Sequence, residues 1–303
     1  MKKITLIITI AILFTNILNS QIIDQLTEIE EELDKGWNVE GLFSLGFSQI
    51  SLTNWAAGGE SSVAGNTLAN IFAGYVRDKL IWTNTLDIGY GLQRREDAIV
   101  RKTDDKIDLL SKIGLEAAEN LFYTGMMNLR TQMTRGYDSP GDDMYISTFL
   151  SPGYLIGGLG IDYRPVDNLS LFLAPSTVKM TIVMDKFLAD RGSYGVEPGE
   201  NLRYEFGSYF RADLRTTIHD NVRIQSKLDI FSNYLYKPQN MDINWETLLI
   251  MQLTEFIAVS FSTHLIYDED MVFDFDPGNN NDHQTGPRVQ FKQLFIIGLS
   301  YNL

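Results

Sequence analysis

The chain has 303 residues, no cysteine and a formal charge of −14. That composition excludes a disulfide framework, and no basic cluster exists to neutralise the phosphates of a nucleic acid. No stretch of about 18 apolar residues follows the N-terminal leader, so no transmembrane helix is expected.

The leader comes first. Met1, Lys2 and Lys3 precede the apolar run 4–14 and the polar tail TNILNSQ. A basic start, a short apolar core and a small residue before a polar one make a secretory signal peptide. The apolar run is too short to span a bilayer, which takes about 20 residues. Cleavage is expected near Ser20 and Gln21, so residues 1–20 leave, taking Lys2 and Lys3 and no acids, and the charge becomes −16. Next, IIDQLTEIEEELDKG places Ile22, Leu26, Ile29 and Leu33 at helical spacing among acids. Residues 21–37 are therefore expected to form a short amphipathic helix on the periplasmic side, closed by Gly36.

From Val39 the period changes to two. In LIWTNTLDIGYGL, Leu80, Trp82, Leu86, Ile88, Tyr90 and Leu92 share one register, against Thr83, Thr85, Asp87, Gly89 and Gly91. The same division separates Tyr204, Phe206 and Phe210 from Arg203, Glu205 and Arg211, and Ile224, Leu228 and Ile230 from Arg223, Lys227 and Asp229. Alternation of this length means β-strands with one apolar and one polar face. Twelve such runs are expected, at about 39–51, 63–77, 80–93, 105–118, 121–134, 146–164, 168–183, 201–218, 221–236, 241–254, 257–268 and 288–303. No helical pattern separates them, so the sheet is antiparallel and its connections are hairpins.

The connections sort by length. Every second link is tight: Asp78-Lys79, Glu119-Asn120, Pro165-Val166-Asp167, His219-Asp220 and Glu255-Phe256. The others are longer and polar, at 94–104, 135–145, 184–200 and 269–287, with 52–62 intermediate and 237–240 the exception. Short turns at one end, long loops at the other and an even strand count are the pattern of an outer-membrane barrel. On the apolar register Trp82, Tyr123, Tyr163 and Tyr301 fall toward the short-turn end. Tyr90, Tyr204, Tyr234, Trp245, Tyr267 and Phe291 fall toward the long-loop end. Trp82 and Tyr90 then stand about 20 Å apart in height on a tilted strand, close to the roughly 25 Å band between aromatic girdles. A soluble β-sandwich would also alternate, but it has no reason to sort its loops by end and would place large aromatics mid-strand. The expected fold is all-β: an antiparallel 12-stranded transmembrane barrel over residues 38–303, in the outer membrane. The last run, VQFKQLFIIGLSYNL, ends the chain on an apolar-alternating strand of the kind barrel-assembly machinery recognises.

Together, LTNWAAGGESS, TLDIGYGL, RKTDDKIDLLSKIG, NLRTQM, SPGYLIGGLGIDYRP, LFLAPSTVKMTIV, KLDIFSNYL and STHLIYD resemble an uncharacterised family of Bacteroidota secreted proteins, domain-of-unknown-function family 3078. The resemblance covers essentially the whole mature chain. It implies an outer-membrane β-barrel and carries over no catalytic residue.

With the apolar register on lipid, the polar register lines a lumen. Its candidates are Asp108, Lys112, Arg130, Arg203, Glu205, Arg211, Asp213, Arg215, Arg223, Lys227, Asp229, Asp242 and Glu246, with Lys106, Glu116, Asn128, Gln132 and Asn244 beside them. Opposite charges on neighbouring strands, about 5 Å apart, can form a ladder that fills the barrel and holds its register. The same charges can instead line a narrow wet pore; eight strands fill themselves and 16 leave a channel, and twelve lies between. His264 shares its face with Ser260 and Ser262, but nothing orients the imidazole as a hydrolase would need. The acidic run 267–284 lacks the full spacing of a Ca²⁺ loop, and no phosphate, dinucleotide or zinc motif occurs. No cofactor or metal is expected. In the 51–62 link, Gly58 and Gly59 supply a sharp turn, and Trp55 and Glu60 complete an outer-rim loop. The functional expectation is a narrow channel or passive transporter for a small solute, with a structural or surface-binding barrel as the alternative. Its partners are outer-membrane lipid and lipopolysaccharide, the barrel-assembly machinery and a small solute.

Overall fold

A computed structural model describes residues 35–51, 61–95, 99–139, 141–254, 256–269, 272–275 and 284–302. The expected signal peptide, nearly all of the expected amphipathic helix, and Trp55, Gly58, Gly59 and Glu60 lie outside the described residues. Gly36 and Trp37, assigned to the helix end by the sequence, are already strand.

The first strands are β1 (Gly36–Ile50), β2 (Ser62–Arg77), β3 (Leu80–Arg95), β4 (Val100–Ala118) and β5 (Leu121–Thr131). A two-strand excursion follows, β6 (Gly136–Tyr137) with β7 (Tyr145–Ser147), and then β8 (Gly153–Val166) and β9 (Leu169–Ile182). A short helix α1 (Lys186–Asp190) precedes β10 (Leu202–His219), β11 (Val222–Asn233), β12 (Asp242–Gln252) and β13 (Ile257–Tyr267). A second small pair, β14 (Val272–Phe275) with β15 (Gln284–Pro287), leads into β16 (Gln290–Asn302).

Twelve of these strands close into one barrel in the order β1-β16-β13-β12-β11-β10-β9-β8-β5-β4-β3-β2, antiparallel throughout. Closure pairs each strand on both edges, so the sheet offers no free edge to lipid. The seam between β1 and β16 demands glycine: a Cβ on Gly298 would lie 2.1 Å from the Leu45 carbonyl oxygen.

Differences from the sequence reading have local causes. The hairpin β3–β4 extends through most of the expected 94–104 loop, pairing Arg94 with Val100 and Gln93 with Arg101. Polar residues continue the ladder there because neither face of a strand has to be apolar beyond the lipid. The run expected to begin at 146 enters the barrel only at Gly153, just after Pro152, whose missing N–H cannot donate to a ladder. In β9 the register shifts between Ala174 and Thr177 against β10, a bulge at Pro175-Ser176 that reverses which parity faces inward. The β11–β12 link spans residues 234–241, so the shortest of the long-side links becomes 96–99 instead. At the tight end the turns include Asp78 at φ 50° and Asn120 at φ 59°, residue types that tolerate the left-handed region.

The outer wall is the apolar register. Leu159 is 73% exposed, Tyr123 66% and Phe295 60%, an exterior that suits hydrocarbon and not water. Trp37, Tyr75 and Trp82 cluster toward the short-turn end, with ring centroids 5.2 and 5.8 Å apart. Two polar residues on this wall have a clear role. Ser111 accepts from the Trp82 indole N–H at 3.0 Å, and Ser226 accepts from that of Trp245 at 2.9 Å. Each serine satisfies a donor that lipid cannot. Phe295 sits mid-strand opposite Phe261, so Phe295→Arg is expected to cost about 2–4 kcal/mol. Urea titration of the barrel in lipid measures it, and the folded, heat-modifiable band on gels should fall in step.

Candidate functional site

The inward register is polar by sequence and enclosed by closure, so its charges must find partners among themselves. Asp108 on β4 is 3% exposed. It accepts from Arg130 Nε at 3.1 Å and Asn128 Nδ2 at 2.5 Å, both on the neighbouring β5, with Lys106 Nζ at 3.8 Å. Arg130 also binds Asp229 on β11, four places around the ring. Asp229 in turn accepts from Arg211 at 3.0 Å and from the Tyr209 hydroxyl. Arg211 continues to Asp213 at 3.1 Å, and Arg215 approaches Asp213 at 3.5 Å and donates to Thr85 at 2.8 Å.

Two ion pairs join diametrically opposite walls. Lys106 on β4 binds Glu246 on β12, and Lys227 on β11 binds Asp87 on β3. In the twelve-strand ring each pair is diametrically placed. Asp213 faces Lys227 in the β10–β11 register, yet Lys227 reaches across the lumen instead. Neighbour pairing therefore describes only part of the network.

Three carboxylates, Asp87, Asp108 and Glu246, bring oxygens within 4.8 Å of one another. Lys106 and Lys227 sit on them, neutralising charge as a bound cation would. Nearer the short turns, Lys112 binds Asp162 at 2.9 Å and donates to Ser170 at 2.6 Å, while Arg164 shares Asp162 at 2.9 Å. Nearer the long loops, Lys179 binds Asp242 at 2.6 Å and Glu205 at 3.5 Å, and Arg203 binds Glu205 at 3.2 Å. Arg223 is exposed near the β10–β11 turn, apart from the central network.

An apolar cluster shares the lumen. Leu110, Met126, Ile156, Phe172, Tyr209 and Phe231 are all buried and come from six strands, β4, β5, β8, β9, β10 and β11. The cluster completes the filling of that half of the barrel at mid-height.

Toward the long loops the lumen widens into a vestibule, a cavity of about 500 Å³. Its floor includes Lys106, Arg130, Asp229 and Glu246, and its walls include Tyr154, Phe231 and Ile266. Tyr194 lines it from the β9–β10 segment and donates to the Ile146 carbonyl at 2.6 Å. That segment is held by its own small core of Val183, Leu188, Ala189 and Val196. Asp185 caps α1 by accepting from Leu188 N at 3.1 Å and takes the Tyr145 hydroxyl at 3.0 Å.

His264 faces inward, where its Nε2 lies 2.9 Å from Asn244 Oδ1 and 3.5 Å from Glu246 Oε1. These are lumen contacts, and neither is to Ser260 or Ser262. Of the acidic 267–284 run, Glu269 accepts from the Tyr267 hydroxyl, while 270–271 and 276–283 lie outside the described residues. Parity alone would have added Asp87, Tyr154, Asp162 and Tyr209 to the lumen residues. Lys179 was hidden by the β9 bulge.

Residues 47–137, from the end of β1 to β6, match the model of a protein family of unknown function, DUF3078. The resemblance read from the motifs is borne out over that segment. No curated protein matched the sequence. Among solved structures, the translocator domain of the autotransporter NalP from Neisseria meningitidis is similar at TM-score 0.33 and 12% identity, over 93% of each chain. An outer membrane channel from Pseudomonas putida F1 is similar at TM-score 0.38 and 10% identity, over 91% of this chain and 98% of that one. The P. putida toluene transporter TodX is similar at TM-score 0.30 and 8% identity, over 89% and 90%.

Removing one partner of a buried pair strands the other, at about 3–5 kcal/mol, whereas replacing both by apolar residues is close to neutral. Arg130→Met should therefore destabilise the barrel by that amount, and adding Asp229→Leu should recover little of it, because Asp108 still lacks Arg130 while Arg211 and the Tyr209 hydroxyl lose Asp229. Urea midpoints in lipid measure both.

Proposed function

We propose that this protein is an outer-membrane barrel that admits a small solute from the cell surface into its vestibule. The solute then passes through a charged lumen held shut at rest by ion pairs, so the protein is a narrow gated channel and not an open porin. One observation carries the reading: Lys106–Glu246 and Lys227–Asp87 tie opposite walls together directly beneath a cavity open toward the long loops. In this orientation the tight turns are periplasmic and the long loops face outward. Outer-membrane lipid surrounds the apolar wall, lipopolysaccharide the outer girdle, and β16 is the strand offered to the barrel-assembly machinery. Ion pairs suit a gate because each has two stable arrangements, paired with each other or with an incoming polar solute.

A second reading is a barrel that binds at the surface and passes nothing. The buried cluster of Leu110, Phe172 and Phe231 favours it, because apolar packing gives a solute no charge to exchange. Planar-bilayer recording separates the two. The native barrel should carry no steady current. Removing both opposite-wall pairs, with Lys106→Ala, Glu246→Ala, Lys227→Ala and Asp87→Ala together, should open a steady ohmic current. A folded quadruple variant that stays silent supports the second reading, and a native barrel with a large constant current contradicts the gate.

A further inference from the structure

We propose that the outer half of the seam between β1 and β16 is a lateral portal, through which a single-chain amphiphile passes between the outer leaflet and the vestibule. The portal goes beyond the proposed channel: it rests on the barrel and its orientation, not on the ion-pair gate. The first observation is where the seam stops. β1 pairs with β16 only from Leu42–Asn302 to Gly46–Gly298, yet β1 runs on to Ile50 and β16 begins at Gln290. Among the described residues this is the shortest ladder of the barrel. On their far edges both strands stay laddered, β1 to β2 as far as Ile50–Ser62 and β16 to β13 as far as Ile266–Gln290. Residues 47–50 and 291–297 therefore turn edges toward each other that share no ladder among the described residues. The stop is low in the wall. Gly298 is nearer in sequence to Tyr301, at the short-turn end, than to Phe291, at the long-loop end.

Burial changes at the same rung. Below it β1 alternates as a closed wall should, with Leu42, Ser44 and Gly46 buried and Phe43 and Leu45 exposed. Beyond Gly46 the alternation ends, and Phe47, Ser48, Gln49 and Ile50 are all exposed. Ser48 continues the inward parity of Leu42 and Ser44, so the lumen face of β1 is open there. Ile296 on β16 is buried, and its side chain occupies the space a Cβ on Gly46 would need. It closes the slit from below.

Backbone N–H and C=O groups outside a ladder are tolerated at membrane depth only where they line a wet cavity. The slit is then wetted from the lumen, and its two sides differ. Lumenward stand Ser48 and Lys292, which bridges to Asp104 on β4; Gln290 on the same strand lines the vestibule. Membraneward stand Phe47, Phe291, Phe295 and Ile297, all more than half exposed. The Lys292 side chain is 45% exposed, and an ion pair that water reaches is held weakly, so a polar head can exchange with it. A polar solute has the open mouth and no use for an apolar slit. A hydrocarbon leaves the polar inner side unmet. An amphiphile with one chain fits both sides, head inward and chain in the membrane.

Photolabelling in proteoliposomes tests the portal. The probe is a lysophosphatidylcholine with a diazirine beside its head group, and mass spectrometry reads the labelled residues. In the native barrel the label should reach Ser48 and Lys292. Phe47→Cys with Ile297→Cys, one rung beyond Gly46–Gly298, closes the slit on oxidation; the labelling should disappear and return on reduction. Leu45→Cys with Leu299→Cys, an existing rung, should leave it unchanged when oxidised. If the upper pair resists oxidation, a bifunctional thiol reagent bridges it instead. No label on the lumen face of the native barrel overturns the portal. So does equal labelling of locked and unlocked barrels, which means entry over the rim. Disulfide-linked dimers as the main product of the single variant Phe47→Cys make the seam an interface between copies and overturn it too. Bilayer current through the quadruple variant reports the gate alone, so the two readings fail separately.

Discussion

A closed sheet in a membrane sends every second side chain into one enclosed space, and charges held there have chiefly one another for partners. That constraint organises this protein. Outside, hydrocarbon accepts only the apolar register, together with serines that satisfy tryptophan N–H groups. Inside, Asp108, Arg130, Asp229 and Arg211 become a connected chain of ion pairs, because an isolated charge there would carry a penalty of several kcal/mol.

Such pairing fixes register as well as energy. A one-residue slip of any strand would turn its charges to lipid and its leucines to the lumen. Lys106 and Lys227 go further, reaching strands on the far side of the ring. They set how closely opposite walls approach, which the backbone ladder alone does not. The vestibule lies on the long-loop side of these two bridges, where tyrosines and Phe231 join charged residues in the lining.

Much of this was legible in the sequence. Period two shows the strands, link lengths sort the two ends, and parity divides wall from lumen, which places Arg211, Asp213 and Asp229 inward. Four features escaped for physical reasons. Beyond the lipid the pattern disappears, so the extension of β3 and β4 looked like loop. A bulge at Pro175-Ser176 reverses parity and hid Lys179. Partner choice depends on reach across the lumen: Lys227 takes Asp87, not the Asp213 it faces. The inner apolar cluster escaped as well, because Tyr209 and Phe231 sit on the register that reads as polar.

The central claim is that a bridged lumen separates two aqueous ends, and thiol labelling measures it directly. The chain has no cysteine, so single cysteines can be read without background. Asn244→Cys lies in the vestibule and Arg223→Cys near the opposite, tight-turn end. A membrane-impermeant thiol reagent added on the long-loop side of the reconstituted barrel should modify Asn244→Cys and leave Arg223→Cys untouched until the reagent is supplied from the other side. Modification of both positions at comparable rates from one side would contradict the account.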